Sequence, residues 1–303
     1  MSILSGSKIR VGVLRGGPSH EYDVSLQSGE HVLSLLREMS DLYEPVDIFI
    51  SKDGDWHYSG LKTSPQKALL HTDVVWNALH GTYGEDGQVQ KILQGLQVPF
   101  TGSLAVPSVM AMNKDMSKDI FVRHSILTPK HELITEENFN DEVLVHILRN
   151  YMHPVIVKPT NNGSSVGVSL AHGLKELKDS IKKGFSFSKK VLVEEHIKGK
   201  QSSCGIIENA RGEKVYSLMP TGDLSAEQNK KIEQIAKLAH EVLGLRHYSQ
   251  SDFIVTSKGK IYILETDSQP VFSKEAHLHK SLKNTGWQPK DFVHHVIQLA
   301  LKK

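Results

Sequence analysis

Pro154-Val155-Ile156-Val157-Lys158-Pro159-Thr160-Asn161-Asn162-Gly163-Ser164-Ser165-Val166-Gly167-Val168 runs a short apolar strand straight into a loop of glycine and hydroxyl side chains. The apolar run is bounded by prolines and has the length of a buried strand. The loop behind it offers backbone N–H groups and the hydroxyls of Ser164 and Ser165, while Lys158 stands at the strand's end. Together they make a cradle for an anion, and phosphate is the natural one. Neither Gly-x-x-x-x-Gly-Lys-Ser nor Gly-x-Gly-x-x-Gly occurs, so the phosphate-binding fold implied is of another kind. Read alone, the same segment also fits an ordinary connection.

Upstream, Ile9-Arg10-Val11-Gly12-Val13-Leu14 reads as a buried strand ending at Arg15-Gly16-Gly17-Pro18, followed by a helix near Val24 to Leu36. A second strand from Asp73 to Leu79 ends at His80-Gly81, and helical spacing follows over Gln88 to Leu96. Strands alternating with helices predict a parallel sheet. Ligands of such sheets bind at the carboxyl ends of the strands, where Glu21, His80 and Glu85 fall. These three could grip an ammonium group, or be polar neighbours of turn glycines. The small, loop-like residues from Ser103 to Ser108 mark a first domain boundary, and the expected units are residues 1–105, 106–194 and 195–303.

Downstream, Glu142 to Tyr151 is helical, and Val191-Leu192-Val193 is a strand ending in Glu194-Glu195. Ser225 and Gln228 form a capping box for a helix whose apolar face is Ile232, Ile235, Ala236, Ala239, Val242 and Leu243. Asp252 to Val255 and Ile261 to Asp267 flank Ser257-Lys258-Gly259 as an antiparallel hairpin. Glu265 and Asp267 share a strand face. Asp252 opens the neighbouring strand. Three acids gathered beside apolar segments repel one another unless cations neutralise them, which points to Mg²⁺ (or Mn²⁺) with bound phosphates. A solvent-facing hairpin with scattered acids fits the same pattern. Lys114 offers a second positive charge for phosphate and Glu194 an acceptor for an adenine amino group, although each taken singly also reads as a surface residue.

The bulk properties narrow the class. At 303 residues the chain is long enough for two or more domains. Thirty-six Lys and Arg against 34 Asp and Glu leave a net charge of +2, too little for the basic stripe that nucleic-acid binding needs. A single cysteine, Cys204, rules out an internal disulfide and reads as a small buried hydrophobe. No stretch has the length of a signal peptide's apolar region or of a membrane span, so a cytoplasmic protein acting on small molecules is expected.

In order along nearly the whole chain, these segments resemble the D-alanine:D-alanine ligases of the ATP-grasp superfamily. The resemblance is carried by Gly16-Gly17-Pro18-Ser19-His20-Glu21 with Val24-Ser25, His80-Gly81 with Gly84-Glu85-Asp86-Gly87, and Pro99-Phe100-Thr101-Gly102. It continues through Met112-Asn113-Lys114, Val155 to Pro159, Gly163 to Gly167, Val193-Glu194-Glu195, Asp252-Phe253 and Leu264-Glu265. It implies an α/β (α+β) architecture, an ATP-grasp fold behind an N-terminal Rossmann-like parallel-sheet domain, and by family habit a homodimer. It further implies that Lys114 and Lys158 hold ATP phosphates beneath the loop of Gly163, Ser164, Ser165 and Val166. Glu194, Glu195 and Ile197 would frame the adenine, with Gln201 at the ribose. Asp252, Glu265 and Asp267 would bind the metal, and Glu21, helped by Ser164 and His80, would orient the first amino acid. The implied reaction is phosphoryl transfer to a carboxylate followed by amine attack on the acyl phosphate.

The chain departs from the family pattern at several places. Gln250 replaces an arginine that stabilises the tetrahedral intermediate, and Asp267 replaces an asparagine. Val271 replaces a glycine, and Ala276 and His277 stand where a serine and a leucine meet the second substrate. A long lid is reduced to Ile206 to Leu224. Two alternatives to a dipeptide ligase are therefore a nucleotide-binding protein with little ligase activity and a ligase for a different acceptor.

Overall fold

A computed structural model describes residues 7–160 and 167–302. The N-terminal part runs β1 (Ile9–Gly16), α1 (Tyr22–Glu38), β2 (Tyr43–Ile50), β3 (Trp56–Tyr58), β4 (Leu61–Thr63), α2 (Pro65–Leu69), β5 (Val74–Asn77) and α3 (Gln88–Gly95). Its sheet has the order β4-β3-β2-β1-β5, with β1 parallel to β2 and to β5. The strands β2 to β4, absent from the sequence reading, extend the sheet on one side, β2 parallel to β1 and then β3 and β4 antiparallel. Tyr43–Ile50 hides its strand character behind Glu44, Pro45 and Asp47, whereas its buried positions are Tyr43, Val46, Ile48 and Ile50.

Helices α4 (Ala105–Met112) and α5 (Lys114–Arg123) lead into the second sheet. That sheet is built from β6 (His131–Thr135), β7 (Val155–Pro159), β8 (Ser169–Ala171) and β9 (Lys190–Glu195), with α6 (Asp141–Asn150) and α7 (Leu174–Phe185) between strands. Its order is β6-β9-β7-β8, antiparallel throughout. The third part holds β10 (Lys200–Ala210), β11 (Glu213–Ser217), α8 (Ala226–Val242), β12 (Tyr248–Val255), β13 (Ile261–Asp267), α9 (His277–Asn284) and α10 (Pro289–Leu301). Its sheet runs β11-β10-β12-β13.

Helix α8 forms where the sequence puts it, and both hydrogen bonds of the Ser225 and Gln228 capping box are present. Ile232, Ala236, Ala239 and Leu243 on its inner face pack with Cys204, Phe253 and Ile263. Burying a side chain the size of Ile232 contributes roughly 1.5–3 kcal/mol, so this face fixes α8 across the third sheet. The C-terminal helix α10 crosses back to the first sheet. Phe292, Val293 and Val296 share one core with Val11, Val13, Trp76 and Tyr248. That core ties the strand ends carrying Gly16 and His80 to the hairpin β12-β13. Among the described residues no helix is long and apolar enough to cross a membrane.

Candidate functional site

The turn after β1 is set by Gly16, whose φ is +93° and where a Cβ would overlap the carbonyl oxygen of Ile50. Only glycine fits this left-handed, close-packed position. The chain then reverses through Ser19, whose hydroxyl donates to the His80 carbonyl and accepts from the Glu21 amide, and Glu21 is presented at the start of α1. Gly81 (φ +70°) completes the approach, since a Cβ there would lie 2.6 Å from Glu21 Oε2.

Glu21 and Glu85 face a pocket of about 90 Å³ whose wall continues through Met112, Lys114, Glu265, Asp267 and Val271. Burial, then the nearby Glu21 carboxylate, pushes the Glu85 carboxyl well above its ordinary range. Burial and Glu85 do the same to Asp267. Such a pocket favours a small ligand bearing a positive charge, which would relieve both. His80 stands behind it. Its ring contacts Glu85 Oε1 through Nδ1 at 3.1 Å and Ser28 Oγ through Nε2 at 2.9 Å. Burial holds the imidazole below its usual pKa, partly opposed by Asp267 and Glu21. His80 therefore orients Glu85, a place one step removed from the direct ammonium contact expected from the sequence.

A cavity of about 940 Å³ adjoins this pocket, lined from both four-stranded sheets. Lys158, Glu194, Glu195 and Ile197 come from the second sheet and the segment after it. Gln201, Asp252 and Glu265 come from the third, and Lys114 from the start of α5. Lys114 and Glu265 line both spaces, so the small pocket and the cavity share a wall. Lys114 Nζ lies 3.0 Å from Glu265 Oε2. The Lys114 ammonium, against the effect of burial, holds Glu265 down to about 2. Lys158 Nζ lies 2.8 Å from Glu194 Oε2. Glu195, in the cavity wall, accepts the Lys130 backbone amide through Oε1 at 2.9 Å. Gly163, Ser164, Ser165 and Val166 lie outside the described residues.

Asp252 and Glu265 are direct cross-strand partners on β12 and β13, beside a register shift between Asp252 and Phe253. Burial, reinforced by Glu265, raises the Asp252 carboxyl above its ordinary value, as expected of a carboxylate that gains from a cation. A divalent ion shared with phosphate oxygens needs only one or two protein carboxylates, and this pair suits it. Asp267, grouped with them on sequence, lines the small pocket beside Glu265 but not the large cavity, with Oδ1 accepting the Gln269 amide at 2.7 Å. The reason is strand geometry: a two-residue step moves a side chain about 6.7 Å along the sheet. Asp267 pairs with Gln250 and Asp252 with Glu265. Among the described residues, no three His, Cys, Asp or Glu side chains gather as a metal site.

The segment read from the sequence as a shortened lid contributes to the rim of the cavity. Leu218 to Ser225 joins β11 to α8, and the Thr221 amide donates to the Ser203 carbonyl at 2.9 Å while the Thr221 hydroxyl accepts the Ser203 amide at 2.8 Å. Lys200 Nζ clasps the Asp223 carbonyl at 2.7 Å. Thr221 and Gly222 thus form part of the cavity wall, and so does His277 at the first turn of α9. Sequence reading missed Lys118. It is fully buried, 3.2 Å from Glu194 Oε1, and its four-residue spacing from Lys114 was the available signal.

The comparisons with known proteins cover the chain end to end. Residues 10–68 and 58–103 match the family profile described as D-ala D-ala ligase N-terminus, and residues 122–220 and 211–298 match D-ala D-ala ligase C-terminus. The D-alanine–D-alanine ligase of Geotalea uraniireducens is 31% identical over 97% of this chain and 96% of its own length. That of Geobacter sulfurreducens is 30% identical over 95% and 93%. Among solved structures, the D-alanine-D-alanine ligase from Coxiella burnetii superposes with a TM-score of 0.88 at 23% identity, covering 97% of this chain and 94% of the other. The VanG D-Ala:D-Ser ligase from Enterococcus faecalis gives 0.85 at 23% identity, covering 97% and 100%. These solved structures share the fold, and the full-length sequence matches carry the kinship: the chain belongs to the D-alanine:D-alanine ligase family.

Proposed function

We propose that this chain is an ATP- and Mg²⁺-dependent carboxylate–amine ligase that activates D-alanine and joins it to a second amino acid, as a step in peptidoglycan precursor synthesis. The observation that carries the reading is the adjacency of two spaces that share Lys114 and Glu265 in their walls. One is an acid-lined pocket the size of a small amino acid, and the other is a cavity with Lys158, Asp252 and Glu265 in its wall.

Glu21, with Glu85 behind it, would hold the first amino acid's ammonium and turn its carboxylate towards Lys114. Lys114 and Lys158 would hold the nucleotide's phosphates, so that the γ-phosphoryl group moves in line to that carboxylate. The amine of a second amino acid then attacks the acyl carbon, phosphate leaves and a peptide bond forms. A divalent ion at Asp252 and Glu265 would supply charge neutralisation for the phosphate oxygens. Positioning and electrostatics account for most of the catalysis in such transfers. The acceptor lies where Val271 and His277 depart from the family pattern, on the walls of the small pocket and of the large cavity respectively.

The test is ADP release with Mg²⁺ and a panel of D- and L-amino acids, the product being identified by mass. A dipeptide beginning with D-alanine is expected. ATP binding with no amino-acid-dependent ADP release would overturn the ligase reading, and ADP without dipeptide would reduce it to hydrolysis.

A second expected result concerns Gln250. It pairs with Asp267 across the hairpin, and its amide nitrogen lies 3.4 Å from Asp252 Oδ1. An arginine at this position would meet two carboxylates and restore the cation that stabilises the tetrahedral intermediate. Gln250→Arg is expected to raise kcat about tenfold, checked by steady-state kinetics. An unchanged kcat would place the limiting step in acceptor binding or water exclusion.

A further inference from the structure

Helix α5 turns two lysines to the same side, one helical turn apart, and each meets a carboxylate from a different sheet. Lys114 meets Glu265 on β13, and Lys118 meets Glu194 on β9. The two differ in access. Lys114 lines the large cavity, whereas Lys118 has no exposed side-chain surface and no place in the cavity wall. Lys118 Nζ donates to Thr128 Oγ1 at 2.7 Å, and that hydroxyl donates in turn to the Ile263 carbonyl at 2.9 Å. Its position is thereby fixed against β13.

Glu194 is only 2% exposed, and it remains a carboxylate because two ammonium groups stand against it. Burial alone would raise its pKa, while Lys158 and then Lys118 pull it below the ordinary value. The two lysines are not equivalent, since Lys158 faces the cavity and is the one a phosphate can attract. When Lys158 turns to phosphate, Glu194 keeps its charge only if another cation stays, because an unpaired buried carboxylate takes up a proton. Glu194 Oε1, although ion-paired to Lys118, has no hydrogen bond among the described residues. Oε1 is buried against Lys118, so the oxygen a base donor would meet is Oε2, which Lys158 releases when it turns to phosphate.

We propose that Lys118 is a positioning residue for the nucleotide base: it stays as the counter-ion of Glu194 after Lys158 moves to phosphate, and so makes the site select a purine with an exocyclic 6-amino donor over a 6-oxo purine. The proposal rests on the nucleotide reading of the cavity but not on the ligation step. A carboxylate at Glu194 accepts from a 6-amino group and repels a 6-oxo group. A neutral carboxyl could donate to the 6-oxo group and lose that preference. Burial also brings the Lys118 ammonium down to about 8 against the opposing charges of Glu194 and Glu265, with Lys158 acting in the same direction as burial. The ion pair and its neutral form carry the same number of protons, so a rise in pH does not convert the Glu194 carboxylate into the neutral carboxyl.

The experiment measures the dissociation constants of ATP and inosine triphosphate by calorimetry, with Mg²⁺ and no amino acid, so that the result does not depend on turnover. Lys118→Met is expected to lower the preference for ATP about tenfold, chiefly through weaker ATP binding, and Lys118→Arg is expected to keep most of it. The Lys118→Arg protein, which keeps the counter-ion, provides a readout even if Lys118→Met does not fold. A Lys118→Met protein that folds and keeps the wild-type preference overturns the proposal, as does a Lys118→Arg protein that folds and loses it. If the wild type binds neither triphosphate, the nucleotide reading fails and the proposal with it. If it binds ATP selectively but makes no dipeptide, only the ligase reading fails.

Discussion

Lys158→Ala is expected to lose nearly all nucleotide-dependent stabilisation. Lys158 ends β7, lines the large cavity and lies 2.8 Å from Glu194 Oε2, so it is charged, held in place and within reach of a ligand. Each hydrogen bond to a charged group contributes about 1.5–3 kcal/mol, and a lysine bridging two phosphates makes more than one. A loss of about 2.7 kcal/mol raises the dissociation constant about a hundredfold. At a nucleotide concentration near 100 times the wild-type dissociation constant, stabilisation would then drop from about 2.7 to about 0.4 kcal/mol. In a chain of this length that removes a Tm shift of several degrees. The readout is the difference in Tm with and without ATP and Mg²⁺, measured for each protein against itself. Removing Lys158 also unpairs one side of Glu194 and lowers the baseline Tm, and the difference cancels that effect. A Tm shift equal to that of the wild type would show that the phosphates lie elsewhere.

The chemistry-bearing strand ends were legible in the sequence for a simple reason. Apolar runs that stop abruptly at a charged residue mark where a buried strand meets solvent or ligand, and Lys158, Glu194 and Glu265 sit at such stops, whereas Asp252 reads as the start of a strand and lies within β12. The capping box and apolar face of α8 were equally visible, since both follow from local spacing. What local spacing does not contain is the direction of a side chain after a turn. His80 reads as a ligand contact but points at Ser28 and Glu85. Asp267 shares a strand face with Glu265, yet two residues of rise carry it into the neighbouring pocket. Lys118 was missed because one lysine in a short helix resembles a solvated surface residue. Its burial depends on β9 and β13 arriving from residues far along the chain. The packing of α10 against the first sheet was hidden for the same reason, as its partners lie more than 200 positions upstream.

Glu265→Gln is expected to lower kcat by about a thousandfold while leaving the fold intact, because the change keeps the size and hydrogen-bonding capacity of the side chain and removes only its charge. Glu265 is where three functions meet. It pairs with Lys114 at 3.0 Å, it neighbours Asp252 across the hairpin, and it lines both the small pocket and the large cavity. With an amide there, a divalent ion loses one of its two anionic ligands, and neutral oxygen donors bind hard cations less well. Lys114 meanwhile loses the charge of its 3.0 Å ion-pair partner, so the phosphoryl group and the amino acid carboxylate are held in line less tightly. Misplacement of about 1 Å can cost a hundredfold, and losing one electrostatic contact to the transition state costs a hundred- to a thousandfold. The thousandfold figure thus assumes that the two losses overlap, as they should for groups in contact. The metal contribution can be separated by titrating Mg²⁺ at saturating ATP. Activity of Glu265→Gln should saturate at a higher Mg²⁺ concentration than in the wild type and still fall short of the wild-type rate. Full recovery at high Mg²⁺ would mean that Glu265 serves only as a metal ligand and that Lys114 is positioned by other groups. An unchanged Mg²⁺ requirement would remove Glu265 from the metal site.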